Sequence, residues 1–532
     1  MRYLFTAIIA IRLCVSFDLA AQITFQKFFQ TAGGESTDEA YFIQQTSDGG
    51  YIITGSFINW FSASPHQNIF LIKTNADGDT LWTRTFSGKF DSWGYSVRQT
   101  SDSGYIIVGM RSFENQYRFG IYLIKTKANG DTIWTRTYSK TTHTFANDIR
   151  QTDDGGYILT GQTQSGDFTS PYLLLMKLDH NGNVEWAKGV GHNLLNNASG
   201  YSVCTTTDGG FIVAGGIITD WSTWPVPWDI FLVKTNSDGD TLWTKIFANH
   251  YKTDFATEVQ QTTDGGYALS AYQADPSRGL LIKTDDDGLV IWQKQFPGED
   301  LPSAFIQTTD GGYAMAGVNL HPEGELICLS KTNSNGDLLW HNEYGVPTNN
   351  NYERVGNIMQ TSDKGFIICG AASVQNQYQT AIVKTDSLGS SGCSENPIPF
   401  YPNVDSLLYY GAVLQDSSFS FSITNAPTVV HRGMSTYSSC FSDGIEPVSE
   451  ETSAVTLDPN PASDEIRISF NQALNRKINF DLHDAMGKSD KAFNLENSSS
   501  LVNVSNLNAG IYFYSAKTDD RVIAVGTLII ER

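Results

Sequence analysis

From residue 36 to about residue 390 the chain is a succession of short apolar runs rich in β-branched and aromatic residues, broken at close intervals by glycine, aspartate and asparagine. Runs such as YSVRQT (95–100), GYIIVGM (104–110), IYLIKT (121–126) and TIWTRTY (132–138) have the length and residue types of strands, labelled A to D. Asp-Gly-Gly between A and B, and Asn-Gly-Asp or Asp-Gly-Asp between C and D, are hairpin chemistry, because glycine supplies the positive φ that tight turns require. The unit recurs. QTSDGGYIITG (45–55) returns in seven versions whose second acid is Asp48, Asp102, Asp154, Asp208, Asp264, Asp310 and Asp363, at intervals of 46 to 56 residues. A strand C lysine follows each, at positions 73, 125, 177, 234, 283, 331 and 384. Four antiparallel strands repeated about every 50 residues is the pattern of a β-propeller.

The ends of the array predict how the ring closes. The seventh unit stops at AIVKTDSLGSSGC and lacks strand D, whereas ITFQKFF (23–29) near the N-terminus aligns with TLWTRTF (80–86), setting Phe25 on Trp82, Lys27 on Arg84 and Phe29 on Phe86. A first strand that completes the last blade removes the open edge of the sheet. The expected fold is therefore all-β: a seven-bladed propeller over 22–391 closed by an N-terminal strand, followed by a small C-terminal β-sandwich.

Repetition argues that most shared residues are structural. Trp82, Trp134, Trp186, Trp243, Trp292 and Trp340 hold one blade position and are read as packing between blades. The recurring lysines and aspartates are too regular to mark one site. The loops NADGDT, NSDGDT and DDDGLV lack the 12-residue spacing and terminal glutamate of a calcium loop, so they read as hairpin turns, with calcium at a few of them left open. The AB and CD turns lie on one face of the disc and the BC loops and DA connections on the other. The second set varies from unit to unit, and loops that diverge on a uniform scaffold are where function is expected. The five remaining tryptophans, Trp60, Trp93, Trp221, Trp224 and Trp228, all fall there and are the ligand-binding candidates. Their rings suit stacking on sugars or on a protein surface, and the alternative for each is packing beneath its own loop.

Composition narrows the class. With 56 acidic against 35 basic residues the net charge is −21, which opposes nucleic acid or an anionic membrane as the main partner. Arg2, the apolar stretch Leu4–Val15 and Leu19-Ala20-Ala21 read as a signal peptide over 1–21 with cleavage before Gln22, and no later stretch is apolar enough to span a membrane. In an exported chain Cys393 and Cys440 are candidates for a disulfide bracketing a β segment at 392–441, while Cys204, Cys328 and Cys369 fall inside blade strands and read as thiols. No HExxH helix, GxSxG elbow or phosphate loop occurs, and no catalytic residue stands out. A carboxylate pair meeting at the central channel, as in a glycoside hydrolase, is the enzymatic alternative.

After an acidic linker at 442–454, residues 455–532 form a distinct block. LDPNPASDEIRISF (457–470), FDLHDAMGK (480–488) and LNAGIYFYSAKTDDRVIAVGTLIIER (507–532) resemble the type A C-terminal sorting domain of type IX secretion cargo, through Pro459-Asn460-Pro461, Gly487, and Gly510-Ile511-Tyr512. The resemblance implies a Bacteroidota envelope, handling by the type IX secretion machinery through this domain, and a destination at the cell surface or in the medium. The blades resemble uncharacterised Bacteroidota surface propeller repeats. The combined expectation is an exported propeller that binds glycan or protein without catalysis.

Overall fold

The computed structural model describes most of residues 22–397, a series of short strands between 408 and 438, and most of 455–530; residues 1–21, 398–407, 439–454 and parts of several loops lie outside the described residues. Every regular element among them is a β-strand. The chain divides into two compact units, Met1–Phe441 and Ser442–Arg532.

The first unit is a seven-bladed propeller. Blade 1 consists of Ser36–Gln45, Tyr51–Asn59, Gln67–Thr74 and Thr80–Ser87, paired antiparallel in chain order. Blades 2 to 6 repeat this arrangement. Blade 7 comprises Glu353–Gln360, Phe366–Val374 and Gln377–Thr385, and its fourth strand is the N-terminal Phe25–Thr31, with Phe25 opposite Lys384 and Phe29 opposite Thr380. Strands A of successive blades contact one another around the ring, blade 7 against blade 1 included. Each strand A is interrupted by a register shift at one level, for example between Ala40 and Phe42, Gly94 and Ser96, and Ala146 and Asp148. Such bulges sharpen the local twist and re-aim side chains.

Three repeated contacts explain the repeat's residues. Each strand D tryptophan meets the aromatic that opens strand B of the next blade, as in Trp82 with Tyr105 at 6.0 Å and Trp340 with Phe366 at 5.9 Å between ring centroids. It also covers the CD-turn glycine of that blade: at Gly239, φ +77°, a Cβ would lie 2.5 Å from the Trp186 ring. Phe25 plays this part at the closing seam, 6.3 Å from Tyr51 and against Gly78. Second, each strand C lysine reaches the AB-turn aspartate of its own blade, from Lys73–Asp48 at 2.9 Å to Lys384–Asp363 at 2.9 Å. The glycine after that turn leaves room for the ammonium, since a Cβ at Gly50 would sit 2.6 Å from Lys73 Nζ. Burial alone would raise the Asp208 carboxyl, but Lys234, Thr206 and the Gly210 N–H together pull it down to about 2. Third, the glutamine ending strand A accepts a backbone N–H from the preceding blade's turn: Ser47 donates to Gln99, Ser101 to Gln151 and, across the seam, Ser362 to Gln45, each at 2.8 Å.

The described strands within 392–441, the stretch read from sequence as a disulfide-bracketed β segment, fall in the propeller unit. Glu395–Pro397, Leu408–Gly411, Gln415–Ser418, Ser422–Thr424, Val429–His431 and Met434–Ser438 each add a fifth, outermost strand to a blade.

The second unit packs two antiparallel sheets. Val455–Asp458, Glu465–Phe470 and Ser499–Asn503 form one; Ser489–Leu495, Ile478–His483, Gly510–Lys517 and Val522–Ile530 form the other, in those spatial orders. Alternate residues of both sheets, among them Ile466, Ile468, Phe480, Leu482, Val502, Tyr514 and Leu528, make one core. This is the predicted small sandwich.

Candidate functional site

The AB and CD turns are occupied by the ion pairs, glutamine contacts and tryptophan packing just described. The opposite half of the blades carries a different set of residues. At the position two before the bulge of strand A stand Glu39, Trp93, Phe145, Ser199, Phe255 and Arg354, and at the bulge itself Tyr41, Tyr95, Asn147, Tyr201, Thr257 and Gly356, in blades 1 to 5 and 7. The aromatic members are all half-buried. They gather in three groups. Trp93 meets Phe119 edge-on at 6.1 Å, and Phe119 contacts His143 at 5.5 Å and Phe145 at 5.7 Å, joining blades 2 and 3. Tyr41 and Tyr95 meet at 5.6 Å between blades 1 and 2. Tyr201 of blade 4 lies 5.6 Å from Phe255 of blade 5, which contacts Tyr272 at 5.4 Å.

Polar groups stand among the rings. The Tyr41 hydroxyl donates to Glu39 at 2.9 Å, and Glu39 pairs with Arg354 of blade 7 at 3.3 Å. Burial, then the Glu39 carboxylate, pushes the Tyr41 phenol well above its usual range, so it remains a neutral donor. Asn147 donates to the Gly200 carbonyl of the next blade at 2.7 Å.

Deeper along the same strands lie enclosed charges. Asp148 of blade 3 accepts from Ser96 (3.0 Å) and Arg98 (3.1 Å) of blade 2, and from Ser202 (3.3 Å) and the Val203 N–H (3.2 Å) of blade 4. Arg150 approaches it at 3.4 Å and donates to the Val203 carbonyl at 3.0 Å. Glu258 accepts from the Phe305 N–H at 3.1 Å. Burial pushes both carboxyls up to about 7 against these donors. The cluster ties strands of neighbouring blades together, and its acids are spent on that task.

Of the tryptophans singled out by sequence, Trp60, Trp221 and Trp224 lie outside the described residues. Trp228 is half-buried just before strand C of blade 4, its ring over strand B, where a Cβ at Gly216 would come within 2.9 Å. Trp93, expected on a connection, is the second residue of strand A, Ser92–Gln99. The tyrosines and phenylalanines beside it sit within strands, where they are indistinguishable by sequence from core residues and so fall outside the set of loop tryptophans. The signal the sequence does carry is the recurrence of aromatic residues at two strand A positions, Trp93, Phe145 and Phe255 at one and Tyr41, Tyr95 and Tyr201 at the other. Cys393 is disulfide-bonded, Cys440 lies outside the described residues, and Cys204, Cys328 and Cys369 are free. In the CD turns the side chains cap the backbone, Asn75 accepting from the Asp79 N–H at 2.8 Å, and among the described residues no three His, Cys, Asp or Glu are grouped to hold a metal.

Among the sorting-motif residues, Pro459, Asn460, Pro461 and Gly487 lie outside the described residues, Gly510 opens a strand, and Tyr512 is buried with its hydroxyl donating to the Asn508 carbonyl at 3.2 Å. Residues 457–531 match the family model described as the secretion system C-terminal sorting domain. The C-terminal block is therefore a sorting domain, the tail that marks type IX secretion cargo. Such a domain directs export through the periplasm to the cell surface or beyond, and among the cargo's described residues no helix is long and apolar enough to cross a membrane. No curated protein matches the cargo in sequence. Among solved structures it is similar to PorZ of Porphyromonas gingivalis, an essential bacterial surface component of the type IX secretion system, at 10% identity and a TM-score of 0.36, covering 92% of the cargo and 59% of PorZ. The α-L-arabinanase of Penicillium chrysogenum is similar at 9% identity and a TM-score of 0.39, over 69% of the cargo and 98% of the enzyme.

Proposed function

We propose that the cargo, freed of residues 1–21 and carried out of a Bacteroidota cell by its 455–532 domain, is a non-catalytic binding protein that holds a glycan on the BC and DA face of its propeller. The observation that carries this reading is the set of half-buried rings there, Trp93, Phe119, Tyr95, Tyr201 and Phe255, interspersed with Tyr41, Glu39 and Arg354. Apolar ring faces next to hydrogen-bonding groups suit sugars, which present C–H faces and hydroxyls together. Trp221, Trp224 and Trp228, on the BC loop of blade 4, would extend this surface.

The glycosidase alternative needs two carboxylates able to reach a sugar at the channel. Asp148 and Glu258 are enclosed and hydrogen-bonded between blades, which favours binding. The test is a glycan array probed with the secreted protein and its variants. Trp93→Ala and Phe255→Ala should each weaken binding roughly tenfold, about 1.4 kcal/mol, and Trp221→Ala with Trp224→Ala should do the same if that loop takes part. Binding to a protein ligand but to no glycan would replace the glycan reading. Turnover of a bound glycan, lost in Glu39→Gln, would replace the non-catalytic one.

A further inference from the structure

The course of residues 393–438 is unlike a linker. After strand C of blade 7 the chain turns back to blade 6, where Glu395–Pro397 pairs with Asn342–Tyr344. Leu408–Gly411 then pairs with Lys245–Ala248 of blade 4, Gln415–Ser418 with Lys188–Gly191 of blade 3, Ser422–Thr424 with Thr137–Ser139 of blade 2, and Val429–His431 with Thr85–Ser87 of blade 1. Finally Met434–Ser438 pairs with Lys27–Thr31, the N-terminal strand that completes blade 7. The segment therefore travels round the ring against the order of the blades and returns to the blade it left. Its pairings fall on the end of each strand D nearest the DA connections.

Both ends of this strap meet the closing strand. At its start, Ser391 accepts from Gln26 at 3.0 Å, and a Cβ at Gly392 would lie 3.1 Å from Thr24 Oγ1. At its end, Met434–Ser438 covers the edge of Phe25–Thr31 that strand C of blade 7 leaves open. Cys393 is disulfide-bonded, the strap's last strand stops two residues before Cys440, and Cys204, Cys328 and Cys369 carry free thiols.

We propose that the strap is a covalently closed girdle, joined by a Cys393–Cys440 disulfide, which locks the N-terminal strand into the last blade once the exported chain is oxidised. Two thiols lose two electrons and two protons to the envelope's thiol-oxidising dithiol–disulfide system as the S–S bond forms. In a reducing compartment the closing strand would be held by one ladder and an open strap; after oxidation it is held on both edges.

The test uses the secreted full-length chain. A non-reduced digest should yield a Cys393–Cys440 linked peptide. Amide hydrogen exchange should then rise at least tenfold in Phe25–Thr31 and Met434–Ser438 on reduction, while Val290–Phe296 of blade 5 stays unchanged. Cys393→Ser should reproduce this; if that variant does not fold, reduction of the folded wild type still decides. A free or intermolecularly paired Cys440, or unchanged exchange at Phe25–Thr31, would overturn the proposal.

Discussion

Phe25→Ala is the sharpest test of how the ring closes. Phe25 is only 8% exposed, contacts Tyr51, lies against Gly78, and has the Lys27 ammonium 5.2 Å from its ring centroid. Removing a buried phenylalanine side chain costs about 3–5 kcal/mol, and a partly covered edge position belongs near the lower end, about 3 kcal/mol. Roughly 1 kcal/mol of that is the aromatic pair with Tyr51. The comparison is Leu81→Ala, in the strand D that Phe25–Thr31 imitates: Leu81 is 58% exposed, and its loss should change stability by less than about 0.5 kcal/mol. All 11 tryptophans precede residue 442, so the fluorescence change in urea unfolding reports the propeller unit alone. If the N-terminal strand is an integral member of the ring, Phe25→Ala should lower the midpoint of the whole transition about as far as Trp82→Ala does. A midpoint indistinguishable from that of Leu81→Ala would refute the closure.

Three further outcomes follow from the same geometry. Ser103 and Lys364 occupy the AB-turn position held by glycine in the other five blades, with φ of 63° and 67°. Left-handed backbone costs an L-residue roughly 1–2 kcal/mol and the added freedom of unfolded glycine returns part of it, so Ser103→Gly and Lys364→Gly should each raise stability by about 0.5–1 kcal/mol in thermal unfolding. Glu353 is pushed up to about 8 by burial and by neighbouring Glu325, against the Ile327 N–H. A carboxyl raised in this way keeps a proton in the fold that the unfolded chain releases, so stability should fall as pH rises from about 4.5 to 8, by up to about 1.4 kcal/mol per pH unit, and Glu353→Gln should flatten that slope in pH-dependent denaturation. Deleting 442–532 should leave the propeller folded but retained in the periplasm, as cell fractionation would show; surface display without the tail would contradict its role.

The blade architecture was legible because its chemistry is side-chain chemistry repeated seven times. Asp-Gly-Gly marks a turn whose first glycine has positive φ and whose second makes room for a lysine, and Trp82 and Phe25 could be aligned because both fill the same gap between blades. The contact made by Gln99 was equally visible as a recurring letter, but a glutamine that caps a backbone N–H across a seam looks like any polar residue at a strand end. The strap left no trace for a different reason. Its strands are three to five residues long and attach by backbone pairing, which any side chains can accompany. The aromatic rim was hidden by its location inside strands, where Tyr95 or Phe255 passes for core until the bulge that re-aims it is known.

The division between the two faces has a physical origin. A CD turn on the uniform face must offer a glycine to the preceding blade's tryptophan, and an AB turn must offer an aspartate to its lysine and a backbone N–H to the next blade's glutamine. Substitution there breaks contacts within a blade and across a seam at once. At the other end the strand A positions beside the bulge carry no such shared duty: glutamate, tryptophan, phenylalanine, serine and arginine all stand at equivalent places. Variation at these places breaks no contact that every blade repeats, which leaves room for the aromatic side chains that gather on that face. The strap reinforces this asymmetry, because its strands pair with the ends of strands D nearest the divergent loops, adding backbone hydrogen bonds where the repeated side-chain contacts are absent.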